Sequence, residues 1–267
     1  MNAALMYHDV TASGCLGNND ESGFPGGDAA RYKLTTEQFQ EHLAAIAARG
    51  GRPVLTFDDG GASAMRIAEL LDARGWRGHF FIATAFIGRR GFLNRGEIEQ
   101  LHRLGHIVGS HSHTHPLRMA RCTDARLREE WTRSAAILDD IVGASVDVAS
   151  VPGGYHSARV SAAAAAAGIR FLFTSMPTLR MRCESGVTVL GRYAIQRHTP
   201  ALRAAALSAG DLVPRAGQTV LWRAKLAART IGGAWYLRVR ERLLGGSPDA
   251  GWGDHQDEIK KSGAVAP

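Results

Sequence analysis

The sequence predicts an α/β fold: a distorted (β/α) barrel of about seven parallel strands, followed by extra C-terminal helices. Short apolar runs alternate with helix-like runs through most of the chain, a pattern typical of parallel strands joined by helical crossovers. The chain has 267 residues, of which 45% are hydrophobic and 21% charged, and this balance is that of an ordinary folded protein. Disordered, collagen-like and coiled-coil classes are therefore excluded.

The individual elements follow from local signals. Thr35 and Gln38 have the spacing of a capping box and begin a helix that ends at Gly50, while Asn94 and Glu97 begin a later helix in the same way. Predicted strands cover residues 4–7, 53–57, 79–83, 107–110, 146–151 and 171–174, with weaker candidates at 187–190 and 193–195. Further predicted helices cover residues 64–74, 124–142 and 158–167. Functional groups of parallel α/β sheets lie at the carboxyl ends of strands, so polar residues directly after a strand are site candidates.

The first such candidate is the run TFDDG at residues 56–60. Asp58 and Asp59 are adjacent carboxylates at the end of a predicted strand, and like charges this close repel unless a cation lies beside them. One carboxylate can bind a metal while the other acts as a general base. The alternative is a polar loop in which Asp caps a helix.

The second candidate is the run HSHTH at residues 111–115, which also follows a predicted strand. His111 and His115 are four residues apart, so in a helical turn both imidazoles face one way, and His113 points elsewhere. This spacing suits two nitrogen ligands of Zn²⁺, although a single histidine is more often a core or surface residue. With one Asp, the two motifs supply three ligands and leave positions open, as in catalytic sites, and Asp58 remains available to take a proton.

Together, TFDDG and HSHTH resemble the polysaccharide deacetylase family, the NodB-homology domain of carbohydrate esterase family 4, across residues 1–200. The resemblance implies a distorted barrel that hydrolyses N-acetyl groups of amino sugars. It implies Asp58 as catalytic base and Asp59, His111 and His115 as ligands of a divalent metal. Zn²⁺ is the favoured ion, with Co²⁺ or a similar ion as the alternative.

Other family motifs match less well. The third normally carries an Arg that orients the base, but the segment SVPGGYH at 150–156 has Ser150 or Val151 near that place. Tyr155 is its catalytic candidate, through a backbone N–H that could face an oxyanion; the alternative is an ordinary PGG turn. For the general acid, the candidates are His198, one residue away from the usual Leu-x-His pattern, and His8, which follows the first strand.

The charge of the chain bears on its partners. The formal net charge is +7, but the basic excess is spread along the chain without a nucleic-acid-binding motif, so we expect no nucleic-acid partner. The N-terminus lacks the features of a signal peptide, so we expect a cytoplasmic protein. If the basic stretch 216–244 binds anionic lipid, the protein would lie at the inner face of the membrane. Alternatively, that stretch packs its Trp and Leu side chains against the barrel and leaves Arg in solvent.

The sequence thus predicts a catalytic barrel over residues 1–212 and a region of basic amphipathic helices and tail over 213–267. The expected reaction is metal-dependent removal of N-acetyl groups, with release of acetate, from an amino sugar in a polysaccharide or an envelope glycan precursor. Two alternatives remain open: a related hydrolase of another C–N (amide) substrate, and a non-catalytic metal- or sugar-binding module.

Overall fold

A computed structural model describes residues 3–12 and 21–227, and the account below concerns these residues. The strands are β1 Ala4–Tyr7, β2 Val10–Thr11, β3 Leu34–Thr35, β4 Val54–Phe57, β5 Gly78–Ile82, β6 Ile107–Ser110, β7 Val148–Ser150, β8 Phe171–Phe173, β9 Arg182–Glu184, β10 Val187–Leu190 and β11 Tyr193–Ala194. The helices are α1 Gly27–Ala30, α2 Thr36–Ala48, α3 Ala64–Asp72, α4 Arg95–Arg103, α5 Asp124–Val142, α6 Ala158–Ala166, α7 Ala201–Ser208 and α8, described over 212–227.

The strands form one curled sheet, in the order β11-β1-β4-β5-β6-β7-β8-β10-β9. All neighbours pair in parallel except β9, which pairs antiparallel to β10 at one edge. The predicted distorted barrel is confirmed, and both weaker strand candidates belong to it, which makes eight parallel strands. Within the described residues no ladder joins β11 to β9, so the barrel is open there. The sequence did not predict β9 or the separate pair β2–β3, because strands of two or three residues show no periodicity.

Helix boundaries are determined by local hydrogen bonds. Both predicted capping boxes are present. The side chains of Thr35 and Asn94 accept from the backbone N–H groups of Gln38 and Glu97, and the side chains of Gln38 and Glu97 accept from the backbone N–H groups of Thr35 and Asn94. The long helix α5 ends at Gly143, whose φ of 70° lies in the left-handed region that favours glycine. These caps set where each crossover helix begins and ends, and hence how each strand enters the sheet.

The largest core cluster lies between the sheet and the helices that cover it. Phe57 and Phe80 stack with ring centroids 5.0 Å apart, and Leu43 and Ile46 of α2 pack onto the same cluster with no exposed surface. Burying a side chain of this size contributes about 2 kcal/mol. The packing holds β1, β4, β5 and β6 side by side in this order, so residues that follow these strands meet at one edge of the sheet.

The C-terminal helix α8 attaches to the edge strand β11 through polar side chains. Gln218 hydrogen-bonds both the N–H and the carbonyl of Ala194, at 3.1 and 2.8 Å, and Arg215 donates to the hydroxyl of Tyr193 at 2.9 Å. No helix of the described part is long and apolar enough to cross a membrane. The remainder of the predicted basic stretch and the tail, residues 228–267, lie outside the described residues.

A half-buried histidine of β5 gives a first prediction, on the pH dependence of stability. His79 lies beside the Phe173 ring, its Nδ1 has no hydrogen-bond partner among the described residues, and burial lowers its pKa to about 4. Below the ordinary value of 6.5, the unfolded chain therefore takes up a proton that the folded chain refuses. The resulting loss of stability grows from pH 6.5 down to about pH 4 and then levels off.

We expect His79→Leu to remove about 2 kcal/mol of the stability that the wild type loses between about pH 7 and pH 5. Urea unfolding of metal-free protein at both pH values measures this loss. The exposed His102 provides the control, His102→Leu, which should retain the wild-type pH dependence. Equal losses in wild type and His79→Leu would show that His79 is not the responsible group.

Candidate metal centre and active site

The two aspartates lie at the carboxyl end of β4 and are buried. Asp59 has a φ of 77°, a left-handed conformation that Asp tolerates better than most residues, and it turns the two neighbouring carboxylates in different directions. The chain then passes close to β1, because a Cβ on Gly61 would lie 2.1 Å from a carboxylate oxygen of Asp9. Gly61, the second glycine after the Asp pair, is thus required by this close approach.

Asp59, His111 and His115 form the cluster that could hold a metal. His111 Nε2 and His115 Nε2 each lie 3.4 Å from Asp59 Oδ1, and one ligand atom from each residue lies within 4.8 Å of the others. His111 Nδ1 donates to the carbonyl of Ser150 at 2.9 Å, so in the neutral imidazole Nε2 is the unprotonated nitrogen, and it faces the cluster. Two imidazole nitrogens and one carboxylate oxygen are ligands that Zn²⁺ accepts, and this set leaves positions open.

The histidine loop is held in place by Glu130, a residue of α5 that is 1% exposed. Its carboxylate accepts the backbone N–H groups of His113 and Thr114 at 2.9 and 2.7 Å, and the Thr114 hydroxyl as well. Ser112 and His115 have positive φ values of 63° and 55°. Such backbone angles cost free energy, so the bonds to Glu130 stabilise a strained loop whose geometry aims the imidazoles.

The sequence did not point to Glu130, and its role gives a second prediction. In Glu130→Gln the negative charge is lost, and an amide NH₂ replaces the oxygen that accepts the Thr114 hydroxyl and pairs with Arg126. We therefore expect about tenfold weaker metal binding and a loss of about 2 kcal/mol in the free energy of unfolding. Competition titration with a chelator and urea unfolding measure the two effects. Glu129→Gln, at the exposed neighbouring position, is the matched control, and similar behaviour of the two variants would rule out this role.

Asp58 is bound by Arg192, a buried arginine that follows β10 and lies 134 residues later in the sequence. Arg192 Nη1 and Nη2 donate to the two carboxylate oxygens at 2.7 and 2.9 Å. Its remaining N–H groups donate to the Thr56 hydroxyl, the Ser150 hydroxyl and the carbonyl of Thr174. All five donors of the guanidinium are thus satisfied. Arg192 therefore supplies, beside Asp58, the arginine that the family resemblance led us to expect in segment 150–156, and Ser150 contacts both partners.

The charges around the aspartates determine their ionisation. Burial alone would raise the pKa of Asp58, but the Arg192 guanidinium and the His111 imidazole outweigh it and hold that pKa below its usual value. Asp59 is likewise held well below its usual pKa, against its burial, by the histidines around it. Burial opposes protonation of His111 too, but the two carboxylates raise its pKa. Both aspartates are consequently ionised at neutral pH, as a metal ligand and a general base require.

The remaining candidates occupy different surroundings. His8 follows β1, lies against the Tyr32 ring at 4.5 Å, and helps to lower the pKa of both Asp58 and Asp59 by its charge. His198 lies exposed in the turn between β11 and α7. Tyr155 is half-buried, directly after the turn Pro152–Gly154 that follows β7. Of the two acid candidates, His8 is the one whose charge acts on the aspartates.

His113 points away from the cluster, as expected from its place between the two ligand candidates. Its Nδ1 forms a hydrogen bond of 2.9 Å with the hydroxyl of Thr84, and burial lowers its pKa to about 4. It therefore connects the loop to the segment after β5 as a neutral side chain.

Comparison with known protein families matches residues 47–172 to the family described as polysaccharide deacetylase. This match covers just under half of the chain, and over these residues the chain is similar to the polysaccharide deacetylase family. The matched range contains both aspartates and the whole histidine loop, whereas His8 and Arg192 lie outside it. The family is one of enzymes that deacetylate sugars, and the chain is assigned to that class of enzyme. No curated protein matches the sequence.

Solved structures of deacetylases have the same fold. A polysaccharide deacetylase from Bacillus cereus matches with a TM-score of 0.64 and 18% identity, covering 77% of this chain and 68% of its own. The Streptococcus pyogenes deacetylase PplD, solved with acetate, matches with a TM-score of 0.60 and 15% identity, covering 75% and 94%. IcaB from Ammonifex degensii matches with a TM-score of 0.59 and 16% identity, covering 78% and 98%. At these identities the likeness concerns the fold, which is that of the polysaccharide deacetylase family.

Proposed function

We propose that this polysaccharide deacetylase-family enzyme is a metal-dependent hydrolase that removes N-acetyl groups from an amino sugar in a polysaccharide or an envelope glycan precursor. One observation carries the proposal: an ionised, buried Asp58 lies beside the Asp59–His111–His115 cluster, with its Oδ2 4.0 Å from His111 Nε2. A base and a metal cluster so close can act on one water molecule. The products would be acetate and a free amine.

The roles divide between the neighbouring groups. A divalent ion, Zn²⁺ by preference, held by Asp59, His111 and His115 would supply Lewis-acid chemistry, which polarises an amide carbonyl and lowers the pKa of water. Asp58 would serve as the base that takes the proton of the attacking water, and the bidentate contact with Arg192 holds its carboxylate in one orientation. The backbone N–H of Tyr155 remains our candidate donor to the oxyanion.

The leaving amine needs a proton, and we assign its delivery to His8 rather than His198. His8 is half-buried, its charge acts on both aspartates, and its Nδ1 has no hydrogen-bond partner among the described residues. Because general acid catalysis contributes 10²–10⁴-fold, we expect His8→Asn to lower kcat by about a hundredfold. His198→Asn is the control and should lower kcat by less than about threefold. Steady-state kinetics of the zinc-loaded proteins measures both, and the reverse ranking would make His198 the acid.

The experiment that tests the function is acetate release from a panel of N-acetylated substrates. The panel contains chito-oligomers, peptidoglycan, nucleotide-linked sugars and lipid-linked sugars. The protein is chelated, then reloaded with Zn²⁺ or Co²⁺, and the chelated protein serves as the control. We expect acetate only from the metal-loaded protein, and the preferred substrate identifies the sugar class. Stoichiometric metal without acetate from any substrate would reject the proposal in favour of another amide substrate or a binding role.

A further inference from the structure

Helix α8 turns an apolar face toward solvent. Val213, Val220 and Leu221 are 83%, 66% and 59% exposed, although their spacing places them on one side of the helix. Ala224 lies on the same side and is also exposed. A surface helix normally buries its apolar stripe, so this face is unpartnered in the described part of the chain.

The opposite face of α8 contacts the body of the protein through polar side chains. Arg215 donates to the Tyr193 hydroxyl, Gln218 pairs with the backbone of Ala194, and Thr219 donates to the carbonyl of Pro177 at 3.2 Å. These hydrogen bonds fix the rotation of the helix about its axis. The outward direction of the apolar face is therefore imposed by the attachment of the helix.

Basic residues are frequent in and around α8. Over residues 201–227 the sequence carries four basic residues and one acidic residue, a net charge of +3: Arg203, Arg215, Arg223 and Lys225 against Asp211. The acid is already paired, since Arg49 Nη1 lies 2.8 Å from Asp211 Oδ2. Arg223 and Lys225 are both exposed. The sequence also stays basic over residues 228–244, with Arg229, Arg238, Arg240 and Arg242 against Glu241.

We propose that the outward face of α8 binds the surface of an anionic lipid bilayer. Apolar side chains on one face of a helix enter the boundary between headgroups and acyl chains, while neighbouring Arg and Lys side chains pair with lipid phosphates. Charge complementarity favours this occupant, since Arg223 and Lys225 of α8 are exposed beside the apolar face and no acidic side chain of α8 opposes them. The proposal does not rest on the proposed reaction, because lipid binding requires no turnover.

Vesicle co-sedimentation of the full chain tests the proposal. The probes are vesicles of phosphatidylcholine alone and of phosphatidylcholine mixed with phosphatidylglycerol. We expect binding to the anionic vesicles, reduced by added salt, and little binding to the neutral ones. The triple variant Val213→Ser/Val220→Ser/Leu221→Ser should bind the anionic vesicles at least about tenfold more weakly.

The control substitutes two exposed apolar residues elsewhere on the surface, Met181→Ser/Ile107→Ser, and it should bind like wild type. Equal binding of wild type and the triple variant, or no preference for anionic vesicles, would overturn the proposal. A dimer in solution that the triple variant dissociates would assign the face to a second copy. A large fall in the unfolding temperature of the triple variant would assign it to another segment of the same chain. Either of these results would also overturn lipid binding.

Discussion

Replacing Asp58 with Asn is expected to lower kcat at least about a hundredfold while the protein retains its metal, because removing a general base commonly costs 10²–10⁴ in rate. The side chain of Asp58 lies beside the metal cluster but outside it, and the three proposed ligands are other residues. Metal content after gel filtration and acetate release from the best substrate of the panel measure the two properties separately.

The matched comparison is His111→Ala, which removes a proposed ligand. This variant should lose both metal and activity, and adding excess Zn²⁺ should restore activity only in part. If Asp58→Asn lost metal in proportion to its activity, Asp58 would be a ligand and the division of roles would be wrong. If Asp58→Asn kept its full activity, the base would have to be sought elsewhere.

Arg192→Met is expected to be the most destabilising substitution at the site, by about 3–5 kcal/mol, since it leaves a buried carboxylate without its cation. Arg192 is 1% exposed and donates to both oxygens of Asp58, so no solvent can take its place without rearrangement. Urea unfolding measures the loss. Arg170→Met, which removes an exposed ion pair with Asp147 and an exposed contact with the Phe171 ring, is the control and should cost less than about 1 kcal/mol.

Two further measurements separate the role of Arg192 in orienting the base from a general effect on packing. The guanidinium lowers the pKa of Asp58, so its loss should raise that pKa and move the acidic limb of the pH–rate profile to higher pH. The double variant Arg192→Met/Asp58→Asn has no unpaired buried charge and should be more stable than Arg192→Met alone. Strictly additive losses in this cycle, together with an unmoved acidic limb, would show that Arg192 only fills space.

Several features of this protein could be predicted from the sequence because their signals are local. The parallel sheet follows from the alternation of apolar strands and helices, and the capping boxes at Thr35 and Asn94 follow from residues three apart. The four residues Asp58, Asp59, His111 and His115 were candidates because each motif directly follows a strand. Parallel strands bring such residues to one edge of a sheet, which is why two motifs about 50 residues apart could be assigned to one site.

Other features depend on contacts between distant parts of the chain. Arg192 is 134 residues from Asp58, and no periodicity or spacing signals that β10 would deliver an arginine to the end of β4. In the sequence, Glu130 is one of several charged residues of a long helix, and its role becomes apparent only because α5 packs against the histidine loop. The amphipathic pattern of α8 likewise does not say which face turns outward, because the hydrogen bonds of Gln218 and Arg215 with β11 decide it. Composition and pattern thus determined the fold class and the catalytic motifs, whereas long-range packing decided which side chains support them.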